Sequence, residues 1–225
     1  MKLQLKMLFS PVKWLMCLIF VCILPILLYV PTYFDFVNTS TMFLPFIGIV
    51  LFSDVAILDQ GNGTEEIAYL SSRKPIRVLL QRYLISLALL LIYILLANMV
   101  FRSMQQIKGE WMIEPISLFE YVANAAGGSL LIGTMSMTIS AMLGNVYIGY
   151  GCSTLYWLYW NINYQAEVFL NPFPFIANPT FYEIPLAVIY GFTLVVITLA
   201  CFIYRESPFY FADKLRKLLY HSLNE

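Results

Sequence analysis

Long apolar runs separated by short polar segments make up most of this chain. A membrane core of about 30 Å takes about 20 helical residues to cross, and six runs reach or approach that length. They cover residues 14–30, 41–58, 83–101, 118–142, 145–161 and 184–204. The fourth and fifth runs meet at Leu143 and Gly144, so they predict a tight helical hairpin. The pattern predicts one all-α transmembrane domain over residues 1–225, with six transmembrane helices.

The composition supports a membrane protein. Hydrophobic residues make up 60% of the chain and charged residues 12%, whereas charged residues make up about 25% of a soluble domain. No polar block is long enough for a nucleotide-binding domain, and the formal net charge of zero gives no sign of a nucleic-acid partner. The sequence therefore predicts that membrane lipid surrounds the chain and that any energy source lies on another subunit.

The basic residues indicate an orientation, because cytoplasmic loops are enriched in Lys and Arg. In a six-span arrangement, eleven of the thirteen basic residues fall on one side, and only Arg102 and Lys108 fall on the other. We therefore expect both termini and residues 59–82 to be cytoplasmic. Residues 31–40, 102–116 and 163–183 are then expected to face outward.

The most polar stretch lies between the second and third apolar runs, at residues 63–83. Its acidic pair, Glu65 and Glu66, would occupy the first turn of a short helix over residues 65–72, where the helix dipole favours carboxylates. Lys74 precedes Pro75 and is biased away from helical geometry, whereas Pro75 suits the first turn of a helix. The pattern predicts a short surface helix, followed by a new helix that runs from Pro75 into the third span.

This stretch resembles the corresponding segment of type-2 ABC transporter permeases. The likeness rests on the acidic pair, the "LSS" that ends a short apolar segment, the basic-Pro step and "LLQRYL" at the start of a span. It implies the membrane subunit of a six-span exporter, whose coupling helix docks into a cytoplasmic ABC ATPase that carries ATP and Mg. The residues that would form or flank this contact are Glu65, Glu66, Ile67, Leu70, Arg73, Pro75 and Arg77.

The resemblance also implies a second permease, identical or related, and a substrate that is hydrophobic or amphipathic, such as a peptide, an antibiotic or a lipid-like molecule. A permease with a separate ATPase points to a bacterial plasma membrane. Permeases of this family have a cytoplasmic helix before the first span, and residues 2–13 resemble it, although Pro11 interrupts the pattern. Ordinary positive-inside anchoring explains Lys2, Lys6 and Lys13 equally. Residues 163–185 resemble outward helices that dip back into the bilayer, with an aromatic interface belt as the alternative.

A few polar groups within the apolar runs are candidates for a substrate path. Asp54 is costly in lipid, so it indicates a pathway, a paired charge or a side chain that reaches toward water. In this family, the second and fifth spans line the path, so the resemblance adds the amphipathic groups of the fifth run: Asn145, Tyr147, Tyr150, Ser153, Tyr156 and Trp157. By contrast, the small residues Ala125, Ser129, Gly133 and Ala141 predict close helix packing.

The sequence gives little support for catalysis. Glu65 and Glu66 match part of an intramembrane protease signature, but Leu70 stands where that signature has arginine. Cys152 and Ser153 resemble part of a rhomboid motif, yet the one histidine, His221, lies in the tail and no base is available in a span. The chain has no P-loop and no metal-ligand spacing. We expect no catalytic residue and no cofactor or metal bound by this chain; the alternatives are an intramembrane hydrolase and a channel or assembly subunit.

Overall fold

The computed structural model describes residues 11–27, 31–58, 75–108 and 116–205, which form helices and connecting turns without a strand. The helices are α1 (Pro11–Leu27), α2 (Tyr33–Phe43), α3 (Pro45–Phe52), α4 (Pro75–Lys108), α5 (Leu118–Leu143), α6 (Val146–Ile162), α7 (Pro174–Ala177) and α8 (Glu183–Arg205). Four helical segments are long and apolar enough to cross a membrane: residues 33–52, 76–107, 118–143 and 183–204. The chain is thus an all-helical protein of membrane-embedded type.

Helices α1 and α6 are shorter, at 17 residues each. At a rise of 1.5 Å per residue, each is about 25 Å long, slightly less than a typical hydrocarbon core. The polar turn that was expected between the first two apolar runs is also shorter than predicted, because α2 already begins at Tyr33. Thr32 caps this helix by accepting a hydrogen bond from the Asp35 N–H at 3.1 Å.

The polar residues 38–40 were expected in an outward loop, but they lie within α2. Ser40 donates to the Val37 carbonyl at 3.1 Å, and Thr41, the first residue of the predicted second span, donates to the same oxygen at 2.8 Å. These two hydroxyls are therefore satisfied without water, which is how Ser and Thr are tolerated inside a helix. Pro45 then begins α3, so residues 33–52 form one helical segment with a proline step.

The long helix α4 begins at Pro75, as the sequence predicts. It extends beyond the predicted span at both ends and continues to Lys108, so part of the expected outward loop is helical. The predicted hairpin after α5 is also confirmed. Gly144 adopts the left-handed conformation with φ of 62°, and Asn145 caps α6 by accepting the Tyr147 N–H at 2.9 Å.

Helix α5 is the centre of the bundle and packs against α3, α6 and α8. A capping box begins it, since Ser117 and Glu120 each accept a hydrogen bond from the other's backbone N–H. Three of its buried hydroxyls, those of Ser129, Thr134 and Thr138, are satisfied within the helix: Ser129 donates to the Ala125 carbonyl at 2.6 Å, and Thr134 donates to the Leu130 carbonyl at 2.7 Å. A helix rich in polar side chains can therefore sit in the middle of an apolar bundle.

Small residues let the α3 and α5 backbones approach closely. A Cβ atom added at Gly48 would lie 2.3 Å from the Ser129 carbonyl oxygen, and one added at Gly133 would lie 2.8 Å from the Gly48 oxygen. The predicted packing role of Ser129 and Gly133 is thus observed, with Gly48 as their partner. Because backbone atoms stand on both sides of this contact, no side-chain rotation can make room for a larger residue.

We expect Gly48→Ala to destabilise the protein by about 1–3 kcal/mol, the usual cost of forcing extra volume into a packed core. Gly151→Ala is the matched control, because a Cβ at that helical glycine meets no atom within 4 Å. It should leave stability unchanged or raise it by up to about 1 kcal/mol. Unfolding in detergent micelles, followed by circular dichroism, compares the two. Equal stability of both variants would contradict the close α3–α5 contact.

Candidate functional site

The predicted polar residues divide between two ends of the bundle. The Asp54 end contains the start of α1, the end of α3 and the α5–α6 hairpin. The Glu120 end contains the starts of α2, α5 and α8 and the segment 163–182. Of the residues proposed to contact an ATPase, Glu65, Glu66, Ile67, Leu70 and Arg73 lie outside the described residues. Pro75 begins α4, and Arg77 is exposed in its first turn.

Asp54 forms an ion pair with Lys13, which joins the turn after α3 to the start of α1. About four-fifths of each side chain is removed from solvent, since the exposed fractions are 17% and 21%. Of the three possibilities for Asp54, the paired charge is the one that the structure contains. Its Oδ1 atom is buried and has no hydrogen-bond partner among the described residues, so the cation is the main compensation for this carboxylate.

Tyr150, Ser153 and Trp157 lie on the side of α6 that faces the rest of the chain. Tyr150 donates to the Val50 carbonyl at 3.4 Å, and the Trp157 indole donates to the Met42 carbonyl at 2.8 Å. The Trp157 ring also packs at 5.7 Å from the Phe46 ring. Together these contacts attach α6 to α2 and α3. Ser153 is buried on the same side.

The remaining candidates of the fifth run have different surroundings. Asn145 caps α6, which gives it a structural role. Tyr147 is 84% exposed, and Tyr156 is half-buried and donates to the Leu170 carbonyl at 3.3 Å. The structure therefore does not bring the six residues together around one space. A period of 3.6 residues separates them onto different faces of one helix.

Hydroxyl groups line the contact between α3, α5 and α6 near Asp54. Ser53 and Ser136 share a short hydrogen bond between their Oγ atoms. The Ser140 Oγ lies directly against Gly149, where an added Cβ would approach it to 1.8 Å. None of these serines was predicted to belong to a site. Lys13 was not predicted as the partner of Asp54 either, although one basic and one acidic residue near the same end of neighbouring spans was a usable signal.

At the Glu120 end, the segment 163–182 is folded onto the bundle. The buried Asn171 fixes it, because its amide donates to the carbonyls of Tyr164 at 2.9 Å and Ala166 at 2.8 Å. Phe173 and Phe175 are buried, as expected if this segment dips back toward the core. It contains one short helix, α7, and Phe181 remains exposed in the way an interface aromatic would be.

Acidic groups collect around Tyr182 at this end. Partial burial raises the pKa of the Tyr182 phenol, and the nearby carboxylates of Glu120 and Glu183 raise this pKa further. The phenol therefore stays protonated at neutral pH.

In the part of the chain that the structure describes, no group of three His, Cys, Asp or Glu side chains is placed to hold a metal ion.

We expect Asp54→Asn to destabilise the bundle by about 1–3 kcal/mol, between the values for exposed and fully buried ion pairs, because Lys13 keeps its charge and loses the attraction of this carboxylate. The swapped pair, Lys13→Asp with Asp54→Lys, should recover most of this loss. Unfolding of the single and double variants in detergent gives the coupling energy directly. Additive losses in the double variant would show that the two charges do not stabilise one another.

No protein-family model, curated protein or solved structure matches this chain. The contacts among its own residues place an ion pair and a hydroxyl-lined helix interface at one end, and a folded apolar segment with acidic neighbours at the other.

Proposed function

We propose that the chain is the membrane permease subunit of an ATP-driven exporter of the type-2 ABC class. The observation that carries the proposal is the sequence of residues 63–83, whose acidic pair, apolar ridge and basic-Pro step match the coupling segment of such permeases. The start of α4 at Pro75 is consistent with this interpretation, because proline suits the first turn of a helix.

The arrangement of helices supports six spans. Besides the four long apolar segments, α1 packs along α4 and α6 packs along α5. Both are near the length needed to cross a membrane. With these two helices included, the chain crosses six times and both termini lie on the cytoplasmic side, as the distribution of basic residues predicts. Lys13 and Asp54 then lie near the cytoplasmic surface.

In the proposed assembly, two permeases pair and two cytoplasmic ATPase subunits dock below them. ATP binding draws the ATPases together, and the coupling segments transmit this movement to the permeases, which alternate between inward-facing and outward-facing states. The permease itself carries out no covalent chemistry. Its cargo is proposed to be hydrophobic or amphipathic because the candidate path has aromatic groups and few charges.

The geometry of α6 refines the proposed path. Tyr150 and Trp157 are engaged in contacts within the chain, whereas Tyr147 and Leu155 are exposed on other faces of the helix. If the path lies between two permeases, the exposed side of α6 is the one that reaches it. Trp157 is then a packing residue, and Tyr147 is a residue that meets the cargo or the second permease.

Alanine at Trp157 should therefore lower basal ATP hydrolysis, substrate-stimulated hydrolysis and thermal stability of the assembled transporter together. Alanine at Tyr147 should change only the substrate-stimulated part. Both variants are measured in proteoliposomes with the ATPase that co-purifies from native membranes. If the Trp157→Ala variant keeps full stability and basal ATP hydrolysis but loses substrate-stimulated hydrolysis, Trp157 lines the substrate path.

The central test concerns docking of the ATPase. Ile67 and Leu70 are three residues apart and would share one face of the short predicted helix. Aspartate at both positions would put charge into an apolar docking cleft and should release the ATPase, measured by pull-down in detergent and by ATP-driven transport.

The matched control is alanine at Glu65 and Glu66, which removes charges from the start of the same helix. It should cost only about 0.3–1 kcal/mol per residue through the dipole, too little to unfold the protein, so it controls for loss of the fold. If the Ile67→Asp, Leu70→Asp variant binds the ATPase and transports normally, residues 65–72 are not a coupling helix and the proposed function fails with them.

A further inference from the structure

A half-open cleft lies at the Glu120 end, between the turn at residues 167–169, helix α7 and the start of α8. Its volume is about 280 Å³. Most of its lining is apolar, and its two polar side chains are Glu167 and Asn178. The apolar lining residues are Val168, Phe169, Pro174, Ala177, Phe181, Ile184 and Pro185.

The polar pair in the cleft is held in a fixed orientation. The Oδ1 atom of Asn178 accepts hydrogen bonds from the Thr180 N–H at 3.2 Å, the Thr180 hydroxyl at 2.8 Å and the Phe181 N–H at 3.3 Å. The Nδ2 atom must therefore point the other way, where it donates to the Glu167 Oε1 at 3.3 Å. These hydrogen bonds hold the Glu167 carboxylate beside the apolar lining of the cleft. Its Oε2 atom takes no part in the contact with Asn178.

The chain segment that lines the cleft carries acidic groups and no basic ones. Between residues 109 and 204 the sequence contains no Lys, Arg or His and five glutamates. The basic residues at this end, Arg102 and Lys108, belong to α4, and the cleft lining comes from residues 167–185. Two aromatic rings, Phe169 and Phe181, also line the cleft, and both are largely exposed. A carboxylate next to aromatic faces is the combination that attracts organic ammonium groups, because each ring presents its negative face to the cation.

We propose that this cleft binds an ammonium group that carries an apolar chain. The Glu167 carboxylate and the rings of Phe169 and Phe181 contact the cationic head, and the prolines and aliphatic side chains contact the apolar part. Two sources share this chemistry: a zwitterionic lipid headgroup and a free cationic amphiphile. The cleft is a binding site separate from the proposed transport function, since its occupation requires neither an ATPase nor translocation.

The test uses the full chain purified in a neutral maltoside detergent, without an ATPase. A photoreactive dodecyltrimethylammonium probe should label residues 166–185, as mapped by mass spectrometry, whereas the corresponding dodecyl sulfate probe should not. Glu167→Gln keeps the shape of the side chain and should weaken binding of the ammonium probe by about tenfold or more. Phe181→Leu keeps the cleft apolar and should weaken binding of the same probe by a smaller factor.

Glu183→Gln is the matched control, because Glu183 is acidic and lies at the same end but does not line the cleft. It should change binding of the ammonium probe by less than about twofold.

Native mass spectrometry tests whether the ligand is a lipid. Preferential retention of phosphatidylethanolamine over phosphatidylglycerol, lost in Glu167→Gln, would assign the site to a lipid headgroup.

Ammonium labelling that phosphatidylethanolamine does not displace would assign the site to a free amphiphile instead. Equal labelling by the ammonium and sulfate probes overturns the proposal. An unchanged affinity in Glu167→Gln also overturns it, provided that circular dichroism shows the variant to be folded. Neither result bears on the coupling segment, so the proposed transport function is judged separately by its own docking assay.

Discussion

The fold depends on the close approach of the α3 and α5 backbones at Gly48, Ser129 and Gly133. In lipid, apolar side chains gain little by leaving one hydrocarbon environment for another, so packing between helices depends on contact area and close fit. The absence of side-chain volume at this crossing lets backbone atoms of both helices touch. Helix α5 also contacts α6 and α8, so the α3–α5 contact helps to set the position of the remaining bundle.

This central contact also explains where polar groups are tolerated. Within the buried part of α5, the hydroxyls of Ser129 and Thr138 bond to carbonyls of the same helix, and the hydroxyl of Ser136 bonds to Ser53. The charged pair Lys13 and Asp54 lies at the edge, where some water remains accessible. The bundle thus keeps neutral polar groups in its interior and ionised groups at its ends, the order that the cost of desolvation requires.

The sequence predicts much of this architecture because its strongest signals are local. Run length predicts the helices, Gly144 predicts the hairpin, and Pro75 predicts the start of α4. The sequence-based prediction fails at residues 33–40, since Ser and Thr are equally compatible with a turn and with a helix in which their hydroxyls bond backward. The candidate site was harder to predict. Which face of α6 points inward depends on contacts with Met42 and Val50, more than 90 residues away.

In the proposed transporter, the same geometry would determine how movement passes through the molecule. A push on residues 59–74 from an external ATPase would reach the bundle at both ends of that segment, through the turn at Asp54 and through the start of α4 at Pro75. Lys13 ties the first of these points to α1, and α1 packs along α4. Residues 59–74 therefore connect α3 to α4, which contact each other. Displacement of these residues would move α1, α3 and α4 as a connected group. Helix α6, attached to this group through Tyr150 and Trp157, would follow it, and its exposed face would change position relative to a neighbouring permease.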